Sequence, residues 1–305
     1  MDRFEAMRAF VQVVDAGSFT RAALQLKLHK ASVSQQVQQL EQRLGVRLLS
    51  RTTRSVSPTD EGLAYYRHAV AIVQQVDEAE SLLRKGASTP SGHLRVNVPV
   101  AMGRLVFAPE MRGLLERYPK LTVELGCSDR AVDLVQEGVD CALRGGTLAD
   151  SGLSARPVGR LSFVLCAAPH YIERQGLPRT PDELARHQQV GYLPASTGRL
   201  GPLRLQRAGQ SVEHDVPARL VTTDSAAALS AGLDGLGLIV LAEFVASPHL
   251  ASGALVRLLP DWQCRALPLQ LVTPSTRKRA ARVQAFMDWA QLLLQRRLGP
   301  LLEMR

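Results

Sequence analysis

Along the first 60 positions apolar residues recur at spacings of three and four, the period of helices with one buried face. Phe4, Met7, Phe10, Val11 and Val14 form the first such stripe. "DAGSF" interrupts it: Gly17 suits a helix stop, and Ser18 suits the N-cap of the next helix. That second helix is expected over 18–26, with Phe19, Ala22, Ala23 and Leu26 inward. A short turn, "KLH", leads to a third helix starting near Lys30. Two helices joined by a tight turn make a helix-turn-helix pattern. At about 100° per residue, Val33, Val37, Leu40 and Leu44 of the third helix fall in one arc and face the core. Ala31, Gln35, Gln38, Gln39 and Gln42 lie on the opposite side, flanked by Ser32 and Ser34.

A face left in water is normally rich in Lys and Glu, whereas this one offers amides and hydroxyls. Such groups both donate to and accept from base edges; Gln pairs bidentately with adenine, and a small Ala accepts a thymine methyl. A plain polar surface helix would satisfy the same pattern, so the next segment matters. "RLGVRLLSRTTRSVSPT" reads as a helix stop at Gly45, two short strands, and a basic tip carrying Arg51 and Arg54. This is a wing, whose guanidinium groups suit phosphate oxygens or the minor groove. Residues 1–60 hold nine Lys/Arg and five Asp/Glu, a net of about +4.

Pro58 ends the wing, and "TDE" opens a long helix expected to run to about Lys85. Tyr65, Ala69, Ile72, Val76, Ala79 and Leu83 recur at spacings of four and three, the seam of a coiled coil with a second copy of the chain. A second stripe, Leu63, Tyr66, Val70 and Val73, is expected to pack back on the small domain. The competing reading is a helix wholly inside its own core. "KGASTPSG" then forms a hinge.

Beyond it the period switches to strand–helix alternation. Strands are expected at 93–98, 121–126, 139–144 and 160–168, with helices at 104–118 and 130–138. A second set follows: "ARLVTT", a helix in "DSAAALSAGLDG", "LGLIVL", the returning strand "LPLQLVT", and a last helix near 277–297. The pattern is α/β with mainly parallel sheets, in two subdomains sharing two crossing strands near 161 and 268. A cleft is expected between them, at the carboxyl ends of the strands. The expected division is 1–58 for the winged helix-turn-helix, 59–86 for the linker helix, 87–92 for the hinge and 93–305 for the last domain. Within that domain, 93–163 and 268–305 form subdomain I, and 164–267 form subdomain II.

The whole chain of 305 residues has a formal charge of +9 and a pI near 9.9, a balance that favours a polyanionic partner. Cys127, Cys141, Cys166 and Cys264 form no C-x-x-C pair and have no His at ligand spacing, so no metal site and no cofactor is expected. Free thiols suit a reducing cytoplasm. The N-terminus lacks the apolar stretch of a signal peptide, and no run reaches membrane-spanning length. The seven histidines are scattered, no G-x-S-x-G elbow appears, and no phosphate-cradling Gly loop follows a strand, so an enzyme is not expected. A solute-binding protein would need a signal peptide and no wing.

The stretch "AFVQVVDAGSFTRAALQLKLHKASVSQQVQQLEQRLGVRLLSRTTRSVSPTDEG" resembles the DNA-binding domain of LysR-type transcriptional regulators almost position for position. "LVQEGVDCALRGG", "VLCAAPHYIERQGLPRTPDEL" and "GLGLIVL" resemble their effector domain. The resemblance implies a winged helix-turn-helix, a dimerising linker helix and a periplasmic-binding-protein-like effector domain. It also implies a homodimer or homotetramer on double-stranded DNA, an inducer in the cleft, and contact with RNA polymerase. Expected DNA contacts are Ser18, Thr20, Lys30, Ala31, Ser32, Ser34, Gln35, Gln36, Gln38, Arg51 and Arg54. Gln35 stands where many relatives carry Arg, and the wheel places Gln36 toward the flank. Lys27 stands where Gly or a small polar residue is common, and His29 where Ser commonly caps the third helix. Expected cleft walls are Val100, Ala101, Met102, Ser128, Arg144, Gly145, Leu193, Thr222 and Thr223, in or beside "VPVAMGR", "CSDR", "RGG", "YLP" and "TTDS". Relatives often carry Ser or Thr in the first of these loops, whereas 99–102 are apolar here, which points to an apolar or aromatic effector with few polar handles. Arg144 is placed to meet either an anionic ligand or a neighbouring acid, and Thr223 or Asp224 to cap the helix from 225. A regulator answering through a thiol such as Cys127 is the alternative.

Overall fold

The structure, a computed structural model, describes residues 2–51, 56–83, 89–130, 132–146, 152–194, 197–274, 280–299 and 302–303. It divides into two compact units, one of residues 1–88 with 135–138 and one of 89–134 and 139–305.

The first unit comprises α1 (Arg3–Ala16), α2 (Phe19–Leu26), α3 (Lys30–Leu44), a hairpin of β1 (Leu49–Arg51) and β2 (Val56–Pro58), and α4 (Asp60–Leu83). Local chemistry sets the joints. Gly17 ends α1 in the left-handed region, and the Ser18 hydroxyl caps α2 by accepting from the Arg21 N–H at 3.4 Å. Phe10, Val13, Ala22, Val33, Val37, Leu40 and Leu48 are buried in one core. Thr59 joins the wing to α4: its hydroxyl accepts from the Gly62 N–H at 2.9 Å and donates to the Arg47 carbonyl at 2.7 Å. Gly62 sits so close to the wing base that a Cβ there would lie 1.9 Å from the Leu48 carbonyl oxygen.

The two expected stripes of α4 are one. Tyr65, assigned to the seam, packs on the core with its ring 5.6 Å from that of Phe10, and Ala69 is 0% exposed. Val70 and Val73 are buried beside them, and Tyr66 hydrogen-bonds Asp15. Leu63, assigned inward, is 45% exposed. On a wheel of about 100° per residue, 65, 66, 69, 70 and 73 span a single arc that one partner, α1, can cover, and Leu63 and Ile72 lie just beyond its edges. Ile72 is 42% exposed and Val76 half-buried. The side chains of Ala79 and Leu83 lie outside the described residues.

In the second unit β3 (Gly92–Val98) leads to a helical run: α5 (Val100–Met102), a π-turn at Gly103–Phe107, a 3-10 turn at Ala108–Glu110, and α6 (Met111–Arg117). The helix expected from 104 starts four residues earlier and is irregular where Pro109 lacks an N–H. After β4 (Leu121–Cys127) the helix expected at 130–138 is not formed by the described residues of that stretch, 130 and 132–138. Val139 N–H instead donates to the Leu134 carbonyl and Gly138 N–H to the Val135 carbonyl, closing a turn at Gly138.

The chain continues with β5 (Cys141–Gly145), β6 (Leu153–Leu161), β7 (Phe163–Ala167), α7 (Pro169–Gln175), β8 (Gln189–Tyr192), β9 (Leu203–Arg207), β10 (Gln210–His214) and β11 (Ala218–Thr222). Next come α8 (Ser225–Leu233), β12 (Ile239–Ala242), α9 (Glu243–Ala251), β13 (Val256–Arg257), β14 (Gln263–Cys264), β15 (Leu267–Pro274), α10 (Ala281–Leu298) and β16 (Leu302–Glu303). One six-stranded sheet has the order β16-β6-β15-β5-β3-β4. The chain leaves it after Leu161, builds the β7–β14 half, and re-enters at Leu267. The sheets are mixed rather than mainly parallel: β3 runs parallel to β4 and β5, and β8 to β11, but β15 runs antiparallel to β5 and β6, and β7 to β12 and β13. A strand that re-enters without a crossover helix on that face runs against its neighbours. Helix α10 packs into the core of the six-stranded half through Val283, Phe286, Met287, Ala290, Leu293, Leu294 and Leu298.

Candidate nucleic-acid interface and effector cleft

The turn between α2 and α3 aims α3 outward. Lys27 takes the left-handed conformation at φ 56, which lets the Lys27 and Leu28 N–H groups close α2 on the carbonyls of Leu24 and Ala23. His29 is the N-cap of α3 and makes no side-chain cap hydrogen bond. Val33, Val37 and Leu40 pin the helix to the core. Lys30, Ala31, Gln35, Gln38 and Gln42 are left exposed, with Ser32, Ser34 and Gln39 half-buried. Thr20 is exposed, while Ser18 is half-buried and occupied by its cap. Gln36 differs from its neighbours. It is half-buried, and its Oε1 is shielded with no hydrogen-bond donor among the described residues, so the structure turns that oxygen away from the outward face.

Glu41 is a residue the sequence reading missed. Its Oε1 accepts from the N–H groups of Leu48 and Leu49 at 2.9 and 3.0 Å, tying the start of the wing to α3. The signal was present in principle: it is the acid in an otherwise amide-rich helix, seven residues before the wing. Arg51 belongs to β1, but its side chain and Arg54 lie outside the described residues.

In the second unit the wall loops converge between the six-stranded half and the half containing α8. Val100 and Ala101 are half-buried, as are Ser128, Leu193 and Thr222, whereas Gly145 and Thr223 are exposed. Met102 does not line the cleft: it is 1% exposed and packs in the core of the six-stranded half, because two positions along a helix, about 200°, turn it to the side opposite Val100. Arg144 donates to Asn97 Oδ1 at 3.2 Å and to the carbonyls of Arg130 and Val132 at 3.5 Å. Leu193 N–H donates to the Thr222 carbonyl at 2.8 Å. Asp224, not Thr223, caps α8, accepting from the N–H groups of Ala226 and Ala227 at 2.7 and 2.9 Å.

Asp129 and Ser225 are also residues that sequence reasoning did not single out. Asp129 Oδ1 accepts from the Val100 N–H at 2.9 Å. Its Oδ2 accepts from the Ser225 hydroxyl at 2.9 Å and from the Ser225 N–H at 3.3 Å. Nearby, burial and then the charges of Asp129 and Asp224 push the Tyr192 phenol up to about 12. Burial, reinforced by Asp129, also pushes the Cys127 thiol up. Among the described residues no cluster of three or more His, Cys, Asp or Glu is arranged to hold a metal, and no helix is long and apolar enough to cross a membrane.

Residues 4–63 match the family described as bacterial regulatory helix-turn-helix protein, lysR family, and residues 87–294 match the LysR substrate binding domain. Over 293 residues the chain is 38% identical to YhjC, an uncharacterized HTH-type transcriptional regulator of Escherichia coli, covering 95% of this chain and 97% of that protein. It is 35% identical over 286 residues to the HTH-type transcriptional regulator CrgA of Neisseria meningitidis, covering 93% of this chain and 95% of CrgA. The solved structure of CrgA, a LysR-type regulator, aligns with a TM-score of 0.60 at 34% identity over 96% of this chain and 98% of that one.

Proposed function

The chain belongs to the LysR-type transcriptional regulators, DNA-binding proteins with a helix-turn-helix and a substrate-binding domain, and on that premise we propose how this member reads DNA and is controlled. The exposed side of α3 lies in a major groove, where Gln35 and Gln38 read base edges and Ala31 meets a thymine methyl. Lys30, Thr20, Ser32 and Ser34 meet the backbone, and Arg51 and Arg54 of the wing grip phosphate or the minor groove. A small apolar or aromatic effector in the cleft shifts an existing balance between forms of a self-associated regulator, which acts on RNA polymerase in the cytoplasm. Val100, Ala101, Ser128, Leu193 and Thr222 line that cleft, and Ile72 with Val76 supports self-association.

One observation carries the DNA reading: a helix pinned by Val33, Val37 and Leu40 leaves amides exposed and its single acid, Glu41, tied to the wing. The thiol alternative is disfavoured, because a Cys127 pKa pushed up lowers the thiolate fraction on which reactivity depends. The test uses operators selected from random duplexes. Gln35→Ala should cost about 1–3 kcal/mol on the selected site and little on random DNA. Arg51→Ala should weaken both alike and reduce the salt slope by about one. Equal losses on both DNAs for Gln35→Ala would overturn the reading.

A further inference from the structure

Asp129 joins the two halves of the effector domain. It stands just beyond β4, and its carboxylate takes three hydrogen bonds from two residues on opposite sides of the cleft. Val100, which follows β3 of the six-stranded sheet, supplies a backbone N–H at 2.9 Å. Ser225, the first residue of α8 in the other half, supplies its hydroxyl at 2.9 Å and its N–H at 3.3 Å. These donors are the kind a ligand's carboxylate would seek, and here they are met from within the chain. The cation at the same wall, Arg144, bonds Asn97 and two backbone carbonyls. The raised phenol of Tyr192 reports the negative field that Asp129 and Asp224 add to the burial there. An incoming anion would therefore meet occupied donors and a like charge.

We propose that Asp129 is a tethered carboxylate standing in place of a ligand anion between the two halves. It is the specificity-determining residue of the cleft, which admits uncharged effectors and turns away small carboxylates. The proposal rests on the reading of this cleft as the effector site and names the class of molecule that the site takes. A double role follows: the side chain that refuses the anion also fastens the halves together in the free protein. Removing it should loosen the domain and leave a vacancy that fits a free two-carbon acid.

The experiment is rescue of full-length Asp129→Ala by potassium acetate, with potassium chloride at equal ionic strength as control, read by thermal unfolding and titration calorimetry. The variant should melt several degrees below the wild type and regain most of that loss as acetate saturates it, while the wild type responds no more to acetate than to chloride. Asp129→Ser serves the same comparison if the alanine variant does not fold. Ser225→Ala, which deletes one donor, should show a smaller drop of its own. A wild type that takes acetate as well as the variant does, a folded variant that gains nothing from it, or a Ser225→Ala melting point equal to wild type would each overturn the proposal. Acetate binding by the variant with no change in operator affinity would support this role of Asp129 and count against the effector reading itself.

Discussion

Lys27 and His29 carry the turn between α2 and α3 with side chains poorly matched to their backbone. A non-glycine residue in the left-handed region costs about 1–2 kcal/mol, part of which glycine would return as chain entropy. Lys27→Gly should therefore stabilise the N-terminal unit by up to about 1 kcal/mol in denaturant titration. His29 occupies an N-cap without a capping bond. His29→Ser should add about 1 kcal/mol by satisfying an orphan N–H of α3. Gly62 is the opposite case, since a methyl group there would run into the Leu48 carbonyl. Gly62→Ala should cost more than about 2 kcal/mol, because the obstacle is backbone and cannot rotate away. In the second unit His187 is buried, faces the Tyr171 hydroxyl at 3.2 Å, and has its pKa lowered by burial, with Glu183 opposing. A lowered histidine pKa means that the folded state prefers the neutral ring. Its contribution is fully present above about pH 6.5 and is lost as pH falls below that value. His187→Phe should accordingly lose less stability than wild type between pH 7.5 and pH 5.5, as thermal unfolding would show.

At the level of elements, the wing is held to α3 by one carboxylate. Glu41→Ala removes the acceptor for two backbone N–H groups, leaving them unmatched at about 1–3 kcal/mol. The expected outcome is a wing that protects poorly in hydrogen exchange, with weaker DNA binding on specific and random sites alike. Glu41→Gln, which keeps an acceptor oxygen, should recover most of it. This tether shows where legibility stops. Helices α1 to α3 and their joints could be read from the chain, because a stripe, a glycine and a cap are local signals. The partner of a stripe is not local: Tyr65 and Ala69 looked like a seam until α1 was seen to cover them along with Val70 and Val73. The direction of β15 escaped for the same reason, since its neighbours β5 and β6 are set by how the chain returns. At the cleft, "CSDR" and "TTDS" were recognisable as walls. Asp129 was not distinguishable within them, because its partners lie 29 and 96 residues away. Met102 lies about 200° around its helix from Val100 and so faces the core.

For the whole molecule, the basic balance has a kinetic side as well as a thermodynamic one. With +9 overall and about +4 in the first 60 residues, association with duplex DNA should slow steeply as salt rises. Rates measured by stopped flow between 50 and 300 mM chloride should fall more steeply than unfolding stability changes; a flat profile would mean that the charge plays no part in the encounter. The six-stranded sheet has a consequence for how the polypeptide is made. Its third strand and about half of the buried residues of its core arrive only with 267–298, after the intervening half has been synthesised. On the ribosome the β7–β14 half is thus predicted to become protease-resistant first, while β3 to β6 wait with a gap in their middle. Nascent chains arrested once residues up to about 267 have cleared the ribosome, then treated with protease, would reveal that order, and simultaneous protection of both halves would refute it.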